Sequence, residues 1–300
     1  MNDTRKTLEL LNRHLAGTAL DGRRPESTKR PLSPEFVLRV KLRLLQMHFE
    51  AGVGHIGGNL SAIDTLLCLY HNIMQPDDSF VLSKGHAAGA LYTTLWSADL
   101  LTDAELRTYH QDGTRLSGHP TAGAIPHIPF ATGSLGHGIG IASGLALARR
   151  LRGRASHVFC LTSDGEWNEG SCWEALIFAR HQKLSNLTFI VDLNGLQGFG
   201  TTREVADLSS LADKFRAFGV TPQEVDGHDQ QALCAALAPA CSEDGPRAII
   251  AKTHKGFGVS YMEDKMEWHY LPMSASQYAV AINDLESVYN SPARIMGLAG

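Results

Sequence analysis

From residue 33 onward the chain alternates continuous apolar runs with longer stretches of helical spacing. Ser33-Pro34-Glu35 supplies an N-cap, a proline at the first helical position and a first-turn acid. The spacing of Val37, Val40, Leu44 and Met47 then predicts a helix to about Glu50 with that face buried. A glycine-rich loop, Ala51 to Asn59, precedes a second buried helix expected over Ser61 to His71. A short strand is expected at Phe80 to Leu82, a helix from Ala87 to Trp96 and a capped helix from Thr102 to Tyr109. Gly113 to Gly133 is long and irregular, and such a loop in a compact domain is usually functional. An Ala- and Leu-rich helix follows, to Arg150. His157 to Leu161 and Leu187 to Leu193 read as buried strands on either side of a helix from Ser171 to Lys183. One or two short helices (Val205 to Phe218), a strand (Gln223 to Val225), a helix (Asp229 to Cys241), a strand (Arg247 to Lys252) and a closing helix (Ser274 to Tyr289) complete the pattern. Strands and helices alternating at these lengths predict an α/β fold, a parallel β-sheet with helices on both faces. Residues 1–32 read as a polar N-terminal extension and linker, with a short amphipathic helix at Thr7 to Leu15, and 33–300 as the folded domain.

Composition narrows the functional classes. A hydrophobic share of 43% and a charged share of 19% describe a soluble globular protein. A net charge of −4 without a basic run argues against nucleic acid as a partner. No apolar stretch reaches about 18 residues, which argues against a membrane span, and the polar N-terminus resembles no signal peptide. Cys68, Cys160, Cys172, Cys234 and Cys241 form no C-x-x-C pair and mostly sit in apolar patterns. They are read as free thiols in a reducing compartment, so a cytoplasmic location is expected.

The chemistry is expected where strands end. Asp164 closes a buried strand and is followed by Gly165, whose backbone a ligand can approach closely. An Asp-Gly turn after a strand is also ordinary loop chemistry. Asn194 closes the next strand thirty residues on, the length of one strand–helix–strand unit. Adjacent parallel strands would set a carboxylate and an amide side by side at the sheet edge where α/β proteins bind ligands. Such oxygen donors suit Mg²⁺ or Ca²⁺ completed by phosphate oxygens. The glycines of Gly133 to Gly144 are not a dinucleotide fingerprint, because no clear strand precedes them and no acid follows about twenty residues on.

Seven motifs then occur in order: G-H-I-G-G at Gly54, S-K-G-H at Ser83, G-H-P at Gly118, T-G-S-L-G-H-G at Thr132, D-G-E-W-N-E-G at Asp164, D-L-N-G-L-Q at Asp192, and K-G-F-G-V-S at Lys255 with E-W-H at Glu267. Each is weak alone; together, over residues 34–272, the chain resembles the N-terminal, diphosphate-binding half of transketolase. The resemblance implies the thiamine diphosphate-binding fold, with thiamine diphosphate and Mg²⁺ or Ca²⁺ as cofactors. By similarity Asp164, the Asn194 side chain and the Leu196 carbonyl would hold the metal. Gly133, Ser134, Leu135, Gly165, Glu166, Asn194, His86 and His269 would contact the cofactor, with His55 and His119 lining the substrate channel. Imidazoles suit the proton transfers of such a reaction because they titrate near neutral pH. Glu169 would join a carboxylate relay across a subunit interface; an acid favoured at a helix N-terminus is the alternative. Ser163, where the family commonly has glycine, and His137, often glutamine, depart from the pattern.

Full-length transketolases carry a further domain holding the glutamate that activates the aminopyrimidine. The resemblance therefore implies a split enzyme, in which a separately encoded pyrimidine-binding subunit completes each site in a heterotetramer of two plus two. Its reaction would move a two-carbon ketol unit between sugars or sugar phosphates. The alternatives are the alpha subunit of a 2-oxoacid dehydrogenase, an acyloin-forming relative, or a non-catalytic scaffold subunit.

Overall fold

Ser33 Oγ accepts from Phe36 N (3.2 Å) to start helix α1, Pro34–Ala51, and Gly52, in the left-handed region at φ 63°, ends it. Val37, Val40, Leu44 and Met47 are buried as expected, and so is Lys41. The computed structural model describes residues 29–238 and 244–290, so the helix expected at Thr7 to Leu15 lies outside the described residues.

Helix α2, Ile56–Cys68, begins inside the stretch expected to be a loop. All thirteen of its residues are buried, so it carries no polar face for periodicity to register. Gly57 and Gly58 let other segments approach its first turn: an added Cβ would stand 3.1 Å from Lys255 Cγ and 3.5 Å from the His86 ring respectively. A π turn, Leu69–Ile73, continues it.

The remaining strands and α-helices among the described residues are β1 (Ser79–Leu82), α3 (Ala88–Ser97), α4 (Asp103–Leu106), α5 (Gly138–Leu151), β2 (Val158–Ser163), α6 (Gly170–His181), β3 (Leu187–Leu193), α7 (Thr202–Ala206), α8 (Leu211–Ala217), β4 (Pro222–Asp226), α9 (Gln230–Leu237), β5 (Arg247–Lys252) and α10 (Ala275–Asn290). The strands form one parallel sheet in the order β1-β2-β3-β5-β4. Successive side chains leave opposite faces of a strand, and both faces are apolar here. Phe159, Leu161, Ile190 and Ile249 join a core with α1, α2, α3, α9 and α10. Val158, Cys160, Phe189, Val191 and Ile250 join a second core with α5, α6 and α8. Gly113 to Gly133 contains neither helix nor strand, as expected. Among the described residues no helix is long and apolar enough to cross a membrane.

Candidate active site

The register of β2 against β3 pairs Ser163 with Asp192, so both chains leave the sheet together. Asp164 is almost fully buried there; its Oδ1 accepts from Gly165 N (2.7 Å) and its Oδ2 from Gly195 N (2.6 Å). Burial, then the charge of Asp192, raises the Asp164 carboxyl to about 6 despite those two N–H groups. Half-buried Asn194 turns its Oδ1 to Leu196 N (3.0 Å), and the Leu196 carbonyl accepts from Lys255 Nζ (3.4 Å). Carboxylate, amide and carbonyl oxygens thus stand on the two segments that leave one pair of strand ends, joined by the Gly195 N–H to Asp164, and they are hard donors of the kind that suits Mg²⁺ or Ca²⁺. A bound cation would also offset the burial that disfavours the charged form of Asp164.

Buried lysines stand beside these oxygens. Lys84, after β1, is fully buried; its Nζ donates to Gly58 O (3.2 Å) and to Asp192 Oδ2. Burial acts to raise the Asp192 carboxyl, but Lys84 and the hydroxyls of Ser61 and Thr253 outweigh it and hold the group below the usual range. Lys255, after β5, donates to the Leu196 carbonyl and to His269 Nδ1 (3.0 Å), which leaves the proton of a neutral His269 on Nε2. Burial and the repulsion of Lys84 lower the Lys255 amine to about 8. Two confined cations of this kind suit a diphosphate.

Four imidazoles complete the floor. His55 lies 5.9 Å from His86, 5.7 Å from His119 and 5.1 Å from His269 between ring centroids, and His86 is 5.4 Å from His269. Four separate segments bring them together. His55 caps α2 in the left-handed region (φ 66°), a costly conformation for a side chain with a Cβ, and its N–H donates to His269 O (3.1 Å). Buried Asn59 ties two of the segments, donating to His55 O (2.7 Å) and His86 O (3.1 Å) while accepting from Ala90 N (2.6 Å). Gly133 (φ 145°) leaves room for His119, whose ring an added Cβ would approach to 2.9 Å. Burial lowers the pKa of every ring: His55 to about 4, His269 to about 3, His86 well below the usual value, and His119 downward. The cluster is therefore neutral at pH 7. Each ring has one nitrogen able to donate and one able to accept, suited to ordering sugar hydroxyls and moving their protons.

Other expected residues occupy different surroundings. Ser134 is exposed and Leu135 half-buried; both carbonyls approach His137 Nδ1 (3.2 and 3.1 Å), so that nitrogen carries a proton. Gly165 lies beside the Gln197 side chain, 2.8 Å from where a Cβ would stand. Glu166 is fully buried, and its carboxylate accepts from Gly136 N (2.8 Å), Ser163 N (3.3 Å) and the Ser83 hydroxyl. It ties together the segments carrying Lys84, Gly133 to Leu135, and Asp164. Glu169 occupies the N-cap of α6, exposed and without a side-chain capping bond. Sequence reasoning gave no role to Lys84, Lys255, Asn59 or Asp192, although all but Asn59 stand inside the motifs quoted above.

Comparison with known proteins gives the chain a family. Residues 39–286 match the family described as transketolase, thiamine diphosphate binding domain. An apulose-4-phosphate transketolase subunit from Phocaeicola vulgatus is 38% identical over 253 residues, 81% of this chain and 90% of that protein. The 6-deoxy-6-sulfo-D-fructose transketolase subunit SqwG of a Clostridium species is 36% identical over 247 residues, 79% of this chain and 90% of that protein. Transketolase from Leishmania mexicana superposes with a TM-score of 0.77 at 25% identity, over 89% of this chain and 45% of that one. These matches do not favour the 2-oxoacid dehydrogenase alternative. By sequence, by fold and by length, the chain belongs to the thiamine diphosphate-binding domain family of transketolase.

Proposed function

We propose that this chain is the diphosphate-side subunit of a two-subunit transketolase, moving a two-carbon ketol unit from a ketose or ketose phosphate to an aldose acceptor. The observation that carries the reading is the convergence of four neutral imidazoles on strand ends bearing Asp164, Asn194 and Leu196. Asp164, the Asn194 side chain and the Leu196 carbonyl hold the divalent cation. Gly133, Ser134, Leu135 and Gly165 contact the cofactor, and Lys84 and Lys255 neutralise its diphosphate. When bound, thiamine diphosphate supplies the carbon nucleophile and electron sink for cleavage beside a ketose carbonyl. His55 and His119 bind substrate hydroxyls and exchange their protons; His86 and His269 order the floor beneath them. Glu166 acts from behind, fixing the segments that make these contacts.

A separately encoded pyrimidine-binding subunit completes the site, in a two-plus-two heterotetramer. The named relatives support a partner, since both are transketolase subunits of matching length. So do the exposed apolar positions of α5 and α6: Leu151 is 76% exposed, Ile177 50% and Phe178 39%, and the glycines Gly140 and Gly144 face open space. Calorimetric titration of the assembled subunits with thiamine diphosphate and Mg²⁺ tests the assignment. Asp164→Ala should weaken cofactor binding about a hundredfold, whereas Glu169→Ala should leave it unchanged and weaken assembly by sedimentation. Equal loss of affinity in both variants would sink the division of roles.

A further inference from the structure

Outside the site, at the far end of α2, two thiols meet across a helix–helix contact. Cys68 is the last residue of α2 and is fully buried; Cys234, in the middle of α9, is only partly buried. Their sulfurs lie 2.8 Å apart although the residues are 166 positions apart in the chain. Cys68 Sγ also lies 3.0 Å from Gln230 Oε1, so a polar acceptor faces the pair. Cys234, Gln230 and His228 line a surface cleft of about 430 Å³ with Leu32, Val37 and Tyr289. A small oxidant therefore reaches Cys234 from solvent, and Cys68 only through Cys234.

We propose that Cys68 and Cys234 form a redox-active dithiol, oxidised by hydroperoxides to a disulfide bridging α2 and α9. The Cys234 thiolate attacks the terminal peroxide oxygen, breaking the O–O bond; with hydrogen peroxide one water leaves and Cys234 becomes a sulfenic acid. The Cys68 sulfur then attacks Cys234 Sγ, forming the S–S bond and releasing hydroxide, which takes the Cys68 proton to leave as water. Two thiols lose two electrons and two protons, and the peroxide is reduced to two waters. A disulfide bond is about 2.05 Å long, so closure needs less than about 1 Å of approach. The hydrogen bond between the two sulfurs lowers the Cys234 thiol pKa and raises that of Cys68, which favours Cys234 as the attacking sulfur. The pair joins elements already linked by a hydrogen bond: Asp64, one turn before Cys68 in α2 and paired with Lys41 of α1, accepts from Gln230 Nε2 (2.8 Å) at the start of α9. A reducing compartment keeps the dithiol open until peroxide rises.

The test is non-reducing peptide mapping and intact mass of the full chain, titrated with hydrogen peroxide and then with dithiothreitol. The expected result is a loss of about 2 Da, a Cys68–Cys234 linked peptide, and full reversal by dithiothreitol. In Cys68→Ser, Cys234 should stop at the sulfenic acid and be captured by dimedone. The proposal is overturned if Cys160 or Cys172 oxidises first, if Cys234 links to Cys241, or if wild-type Cys234 becomes sulfinic acid beside an intact Cys68 thiol. It is also overturned if dimedone captures nothing at Cys234 in Cys68→Ser.

Discussion

Replacing Glu166 separates a positioning role from mere occupancy of space. Its carboxylate, without exposure to solvent, receives Gly136 N, Ser163 N and the Ser83 hydroxyl. Glu166→Ala strands three buried donors, each costing about 1–3 kcal/mol if left unpaired. Water entering the space recovers part of this. So does removal of a carboxylate that burial already disfavours, since its pKa is raised. The net loss should be about 3 kcal/mol, lowering the thermal midpoint by about 6–12 °C. Glu166→Gln retains an acceptor oxygen and should cost about 1 kcal/mol. The functional signature follows from what the three donors carry: Gly136 closes the Gly133 to Leu135 turn, and Ser83 precedes Lys84 and His86. The thiamine diphosphate concentration for half-maximal activity should rise about tenfold in Glu166→Ala, with the rate at saturating cofactor less affected. Urea denaturation and cofactor-dependence curves measure both effects. A loss below about 1 kcal/mol in the alanine variant, or equal effects of alanine and glutamine, would refute the reasoning.

Other expectations follow from single groups. Lys255→Met removes the donor to the Leu196 carbonyl and His269 Nδ1, and should weaken cofactor binding at least about tenfold by titration; folding stability should not fall, because a lysine that burial lowers to about 8 is costly to keep charged. Asn59→Asp turns a donor to two histidine carbonyls into an acceptor, and should destabilise by about 2–4 kcal/mol in urea while lowering the transfer rate. His48 is fully buried; its Nδ1 donates to Leu44 O (3.0 Å), its Nε2 has no partner among the described residues, and burial lowers its pKa to about 4. The unfolded chain binds that proton near pH 6.5, so the stability is present above that pH and falls as pH drops towards 4. His48→Leu should remove about 3 kcal/mol of this acid dependence, seen as a flatter plot of unfolding free energy against pH.

What could be read from the sequence was local or strictly periodic. The strands announced themselves because both faces of the sheet are covered, and Leu187–Leu193 and Arg247–Lys252 are bounded where the apolar runs place them. Asp164 and Asn194 could be paired because one strand–helix–strand unit fixes their spacing. The start of α2 was hidden because Gly57 and Gly58, poor helix formers, stand in its first turn. The positioning residues were hidden for a related reason. Asp192 meets Ser61 across 131 residues and Lys84 across 108, and Glu166 meets Ser83 across 83, contacts that no local pattern marks. Lys84 and Lys255 stood in plain view within motifs, but only folding showed both lysines buried, Lys84 against Asp192 and Lys255 against the Leu196 carbonyl.

The central claim is that this chain supplies the diphosphate half of a transketolase site and needs a second subunit to act. The most direct measurement is ketol transfer from a ketose phosphate to an aldose phosphate with thiamine diphosphate and Mg²⁺, assayed for this chain alone, for its pyrimidine-binding partner alone, and for both together. The account predicts turnover only in the mixture, with a thiamine diphosphate requirement about a hundredfold higher there in Asp164→Ala. Turnover by this chain alone, or none from a mixture that binds the cofactor, would contradict it.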